Sequence, residues 1–170
     1  MRALVVFDSM YGTELVAAAV AEGVASSGHV DLVRAQDAPD TIPDGVDLLA
    51  VGGRTHGHGL SNSTSRRVTP VQAAHGARQA HIGLREWLTR LGPGRSPVAT
   101  FDTRFDKPAW LTGSAARAAA KRLQAKGHPL VAPPQSFFVT HTEGPLADEE
   151  LDRAHRWGRA LVAPRTATST

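Results

Sequence analysis

A short polar turn near the N-terminus, residues 8–13, carries three hydroxyl groups and a single glycine. It follows an apolar run typical of a buried strand and precedes a segment with helical spacing. A helix start presents unpaired backbone N–H groups and a partial positive charge, so the turn has the donors to hold a phosphate-sized anion. A plain capped turn between strand and helix explains the same residues equally well. The candidate phosphate ligands are Ser9, Met10, Tyr11, Gly12 and Thr13.

Two further stretches of unusual composition follow apolar runs. Residues 54–61 are rich in glycine and histidine, and residues 102–110 combine charged and aromatic side chains. Ligands of open α/β sheets bind beyond the carboxyl ends of the parallel strands. We therefore expect these two loops and the turn at 8–13 to share one site.

Other kinds of chemistry find little support in the sequence. The chain has no cysteine, which excludes disulfides, thiolate catalysis and cysteine-ligated metal centres. His56 and His58 lack a carboxylate at ligand spacing, so we expect no metal site. A phosphate-receiver domain needs an aspartate at the end of the third strand. Gly52-Gly53 stands there, so this class of protein is excluded. Neither the G-x-S-x-G motif of serine hydrolases nor the lysine-containing P-loop is present.

The spacing of apolar residues predicts alternating strands and helices. We expect a doubly wound parallel sheet of five strands with helices on both faces, forming one α/β domain over residues 1–163 and a frayed tail over 164–170. Leu151 is expected on the inner face of the last helix, and in the first helix Leu15 recurs at helical spacing with three valines. The polar stretch 62–80 is a long excursion, and such loops are usually functional or disordered. The predicted strands are 4–7, 29–33, 47–51, 97–101 and 136–139, and the predicted helices are 14–24, 82–91, 113–126 and 148–162.

Length and charge restrict the class of protein further. The 170 residues carry a formal net charge of +3, with scattered arginines and no basic run interleaved with aromatics, so nucleic-acid binding is not indicated. No apolar run is long enough to span a membrane, and no secretory signal is evident. We expect a cytoplasmic protein that can form a homodimer and has no membrane or nucleic-acid partner.

Three motifs together make the chain resemble the flavodoxin family. FDSMYGTE resembles that family's FMN phosphate loop, VGGRTHGHG a loop along one side of the flavin, and TFDTRF the loop along the other side. The resemblance implies the strand order 2-1-3-4-5, FMN as cofactor, and a role in electron transfer or flavin-dependent reduction. It implies that the ring is flanked by Arg54, Thr55, His56 and Gly57 on one side and by Asp102, Thr103, Arg104 and Phe105 on the other, with His58 and Trp110 as further candidate covers.

The motifs also depart from the family pattern. The loop reads SMYG-TE, one residue shorter than SMYGNTE, and Arg54 stands where the family usually has proline. A second hypothesis is therefore a flavodoxin-fold protein that has lost FMN and acts as a binding or assembly module.

The partner is expected to be a redox protein or a pyridine nucleotide. Because shuttle flavodoxins are strongly acidic and this chain is basic, we expect an FMN-dependent reductase or a carrier for acidic partners. In this hypothesis Arg54 and Arg104 place positive charge beside the flavin, and Arg66, Arg67 and Arg78 extend it.

Overall fold

The computed structural model of the chain describes residues 1–8, 12–56, 59–60, 82–141 and 145–164. The turn at 9–11, the stretch 61–81 with the predicted excursion, and the tail from 165 lie outside the described residues. The described strands are β1 (Arg2–Phe7), β2 (His29–Arg34), β3 (Leu48–His56), β4 (Gly59–Leu60), β5 (Val98–Phe105) and β6 (Gln135–Val139), and the described helices are α1 (Thr13–Ala25), α2 (Leu84–Arg90), α3 (Ala109–Thr112), α4 (Ala115–Ala125) and α5 (Glu150–Val162).

The main sheet has five parallel strands in the order β2-β1-β3-β5-β6. This is the predicted order, so the expected doubly wound α/β architecture is confirmed. The two-residue strand β4, which the sequence did not predict, pairs antiparallel with the end of β3. No helix among the described residues is long and apolar enough to cross a lipid bilayer.

The sheet separates two hydrophobic cores, because successive strand residues point to opposite faces. In β1, Leu4 and Val6 belong to one core, whereas Val5 and Phe7 belong to the other. Helices α2 and α4 cover the first core, and α1 and α5 cover the second. The fully buried Trp87 of α2 lies in the first core, and its indole N–H donates to the Pro39 carbonyl at 2.9 Å.

Helices α1 and α5 pack backbone to backbone at two glycines. A Cβ atom at Gly23 would collide with the carbonyl oxygen of His155, and one at Gly158 would collide with the carbonyl oxygen of Val20. The close approach puts the starts of the two helices side by side at the carboxyl edge of the sheet. The inner-face prediction is wrong for Leu151, which is 40% exposed, and Leu15 of α1 is 57% exposed.

Two central strands run further than the sequence predicted. The glycine pair was expected to end β3, but the strand continues through it to His56. Gly52 lies directly opposite Phe101 of β5, whose ring fills the space that a side chain at Gly52 would need. Because β5 lies between β3 and β6, it is hydrogen-bonded on both sides and continues to Phe105. Residues 54–56 and 102–105 are therefore strand residues and not loop residues.

Candidate functional site at the carboxyl edge of the sheet

The start of α1 is open to an anion. Gly12 precedes the helix in a left-handed conformation, with φ 80° and ψ −15°, and Thr13 begins the right-handed helix. Adjacent left- and right-handed residues turn successive N–H groups toward one point, which makes an anion-binding concavity. Within the described residues, no side chain accepts a hydrogen bond from this helix start, so the N–H groups of its first turn have no acceptor among them.

The side chain of Thr13 is buried beneath this concavity. Its Oγ1 lies 2.8 Å from Oγ1 of Thr103 in β5, and both residues are fully buried. Two hydroxyls that share one hydrogen bond use one of their two protons, so one proton is left for a third group. Thr13 is therefore held in place by the strand while its backbone N–H remains available.

The start of α4, by contrast, is closed by side chains of the protein. Oδ2 of Asp102, which is fully buried, accepts from the Ser114 hydroxyl at 2.6 Å and from the Ala116 N–H at 3.0 Å. The Thr55 hydroxyl donates to the same oxygen and accepts from the Ala115 N–H at 2.9 Å. A carboxylate at a helix start satisfies the N–H groups and favours the helix dipole. Asp102 thus occupies the position in which α4 would bind an exogenous anion.

The segment that follows β5 is organised by Arg104. Its guanidinium donates to the Ser136 hydroxyl at 2.9 Å, to the carbonyl oxygen of Lys107 and to that of Phe105, and it lies 5.3 Å from the ring centre of Phe138. Its Nε lies 3.9 Å from Oδ1 of Asp102, and its side chain is only 12% exposed. Arg104 therefore holds the segment after β5 in place through its hydrogen bonds to that segment's carbonyl oxygens.

The structure places the remaining predicted residues as follows. Arg54 is 4% exposed and the side chain of Arg104 is 12% exposed, so both cations are largely shielded from solvent. That they place positive charge beside a flavin stays a prediction. The backbones of Asp102 and Thr103 lie within the β-ladder and not in a free loop. His56 and Phe105 are half-buried at the ends of their strands, whereas Trp110 in α3 is 83% exposed. Ser9, Met10, Tyr11, Gly57 and His58 lie outside the described residues.

Two neighbours of the site escaped the sequence analysis. Ser114 caps α4, and its hydroxyl also donates to Asp102, which nothing in the sequence indicated. Leu146 lies beside Gly12, with side-chain carbon 3.7 Å from where a Cβ on the glycine would be. Contacts of this kind depend on the tertiary fold, so no local pattern identifies them. Within the described residues, no group of three histidine, aspartate or glutamate side chains is placed to hold a metal ion.

Comparison with known proteins supports the fold. No protein-family model and no curated protein sequence matches the chain. A flavodoxin from the domain Archaea is 18% identical, with a TM-score of 0.63 over 95% of this chain and 96% of that one. Flavodoxin 1 from Bacillus cereus is 16% identical, with a TM-score of 0.63 over 95% and 97%. The Streptococcus pneumonia TIGR4 flavodoxin is 16% identical, with a TM-score of 0.60 over 96% and 99%. Together with the strand order, these similarities show that the chain has the flavodoxin-like fold.

Proposed function

We propose that this chain is a cytoplasmic FMN-binding protein that acts in electron transfer or flavin-dependent reduction. The observation that carries the proposal is the open start of α1, where left-handed Gly12 and helical Thr13 leave N–H groups without an acceptor among the described residues. A dianionic phosphate is the ligand that such a concavity favours. The flavodoxins to which the chain is structurally similar add to this support.

The start of α1, and not the start of α4, fits the phosphate of FMN. The starts of α1 and α4 both lie at the carboxyl edge, but Asp102 already supplies a carboxylate to α4. An anion would therefore be repelled from α4 and bound at α1, where backbone donors converge. The hydroxyl pair of Thr13 and Thr103 has one proton left for a phosphate oxygen.

The ring of FMN would lie between the ends of β3 and β5. Thr55 and Asp102 are bonded to each other there, so the two strand ends are held at a fixed separation. The exposed indole of Trp110 and the half-buried ring of Phe105 are the described aromatic groups that would cover the flavin. FMN bound here would supply one- and two-electron transfer, while the chain positions the ring and limits access of water.

We propose a redox protein or a pyridine nucleotide as the partner. The sequence argument for an anionic partner now depends on Arg66, Arg67 and Arg78, which lie outside the described residues, because Arg54 and Arg104 are buried. Rates of reduction by NADPH, by a basic reductase and by an acidic ferredoxin-type donor, compared at low and high salt, distinguish the candidates. The anionic-partner proposal fails if the basic donor is fastest and salt slows it.

A flavin titration tests the main proposal. FMN is added to the purified protein, and binding is followed by the flavin absorbance between about 370 and 450 nm and by calorimetry at tens of micromolar protein. We expect one FMN per chain and weaker binding of riboflavin, which lacks the phosphate. Gly12→Val removes the left-handed conformation and should weaken FMN far more than riboflavin. The proposal is wrong if neither flavin perturbs the absorbance or releases heat.

Two observations favour the second candidate, a flavodoxin-fold binding module without FMN. The apolar side chain of Leu146 lies beside Gly12, and the first turn of α1 carries the acidic residue Glu14. Both disfavour a dianion, and the turn is one residue shorter than the family motif. Insertion of an asparagine between Gly12 and Thr13 separates the two hypotheses. FMN binding by the insertion variant alone would support the module, whereas equal binding by both proteins would remove its main support.

A further inference from the structure

A groove lies between the starts of α1 and α5. It encloses about 470 Å³, and its lining includes Gly12, Leu15, Leu146, Glu149 and Leu151. Two of the three leucines, Leu15 and Leu151, are 57% and 40% exposed, on helices whose other large apolar residues pack inward. Single exposed leucines are common on proteins, but several that share one groove indicate a binding surface. We call it the α1/α5 groove.

The groove is acidic as well as apolar. Its lining contains Glu149, Glu150 and Asp152 but no lysine or arginine. Glu150 is paired with Arg153, whose Nη2 lies 2.5 Å from Oε2 of the glutamate. The described residues provide no ion-pair partner for Glu149 or Asp152, so these two carboxylates give the groove a net negative charge.

The overall charge of the chain does not offset this local charge. The stretch 61–81 contains three arginines and no acidic residue, so its charge accounts for the whole formal excess of +3. The rest of the chain is therefore electrically balanced, and the acidic groove is a distinct feature of its surface. Over the Debye length of about 8 Å at physiological salt, a partner responds to such local charge more than to the net charge.

We propose that the α1/α5 groove binds a basic amphipathic segment of a partner protein. An apolar side chain of that segment enters between Leu15, Leu146 and Leu151, and flanking lysines or arginines pair with Glu149 and Asp152. Apolar contact in the centre with charges at the rim is the usual arrangement of such helix-in-groove complexes. The groove shares Gly12 with the candidate phosphate site, but its leucines and carboxylates belong to α1, α5 and the segment before α5, and not to the β3 and β5 ends that would flank the flavin ring.

Peptide binding to the full chain tests the proposal. The probe is a helical leucine/lysine peptide with blocked termini, titrated by calorimetry and fluorescence anisotropy. Two comparison peptides of equal length carry glutamate in place of lysine, or serine in place of leucine. We expect the leucine/lysine peptide alone to bind in the micromolar range and to bind more weakly as salt increases.

Variants locate the binding on the protein. Leu151→Ser should weaken the peptide about tenfold, because one apolar contact is lost. The double variant Glu149→Gln/Asp152→Asn should weaken it by at least about threefold and flatten the salt dependence. The matched control, Glu22→Gln/Asp44→Asn, neutralises two exposed carboxylates elsewhere and should leave affinity unchanged.

Several results would overturn the proposal. The first is no binding by the wild type, and the second is an equal loss of affinity in the groove variants and the control. The third is a concentration-dependent dimer of the chain that Leu151→Ser abolishes, since that would assign the groove to a second copy. Circular dichroism of each variant, and an FMN titration run alongside, separate these results from misfolding and from failure of the flavin proposal.

Discussion

The hydroxyl oxygens of Thr13 and Thr103 lie 2.8 Å apart, although 90 positions separate the two residues along the chain. Thr13 begins α1, where the candidate phosphate site lies, and Thr103 belongs to β5, whose end would flank the flavin ring. One buried hydrogen bond thus joins the two halves of the candidate site.

Loss of this bond should lower the stability of the fold. Thr103→Val keeps the shape of the side chain but leaves the Thr13 hydroxyl without its buried partner, so we expect the free energy of unfolding to fall by about 1–2 kcal/mol in urea denaturation. Thr100→Val is the matched control, because Thr100 is equally buried in β5 and its hydroxyl has no hydrogen-bond partner among the described residues. The control should be neutral or stabilising. Equal losses in both variants would show that the Thr13 bond contributes nothing.

Removal of the Asp102 carboxylate should be more severe. Asp102→Ala leaves the Ser114 hydroxyl and the Ala116 N–H without their buried acceptor. We expect the free energy of unfolding to fall by about 3 kcal/mol, measured by urea denaturation at neutral pH. Hydrogen exchange should increase first at the start of α4. Unchanged exchange there would contradict the capping role of this carboxylate.

The contact between α1 and α5 should not tolerate a single added methyl group. Gly23→Ala places a Cβ against the backbone of His155, and backbone cannot move aside as a flexible side chain can. We expect a loss of at least about 2 kcal/mol by thermal or urea unfolding, or failure to fold. Gly59→Ala is the control, since no atom of the part of the chain that the structure describes lies within 4 Å of its Cβ position. A fully stable Gly23→Ala protein would mean that the helices do not approach this closely.

Two side chains of α5 close the outer edge of β6. Glu150 accepts from the Phe138 N–H at 2.6 Å, and Arg153 donates to the Ser136 carbonyl at 2.6 Å. Free edges promote strand pairing between molecules, so the double variant Glu150→Gln/Arg153→Ala should self-associate more than the wild type. Analytical ultracentrifugation measures this effect. Arg156→Ala, an exposed change on the same helix, should remain like the wild type, and a monomeric double variant would refute the prediction.

One carboxyl group should titrate below its usual range. A hydrogen bond from His29, and then one from Arg2, lowers the pKa of Asp31. Because the folded-state pKa is depressed, the stabilising contribution is present above the unfolded-state pKa of about 3.9 and is lost as pH falls through the folded-state value. NMR titration should show the pKa of Asp31 rising in His29→Ala. An unchanged pKa would show that the histidine bond is absent in solution.

The layered architecture could be predicted from the amino-acid sequence alone. Apolar runs such as 4–7 and 98–101 are long enough only for buried strands, and the segments between them carry helical spacing, so alternation implied a parallel sheet with helices on both faces. The sequence also predicted a candidate anion site at the turn before α1, because a site made of backbone donors needs only glycine, hydroxyls and a helix start in succession.

The contacts around that turn depend on the tertiary fold and could not be predicted from the sequence. Gly52 and Gly53 indicated a strand end, but the ring of Phe101 on the neighbouring strand compensates for the missing side chain and lets β3 continue. Asp102 was expected in a loop, yet it is a buried strand residue that caps α4. Leu151 was expected on the inner face of α5, but the close glycine contact between α1 and α5 sets the rotation of the helix and leaves it exposed. In each case the deciding contact joins residues distant in sequence, and local periodicity carries no information about such pairs.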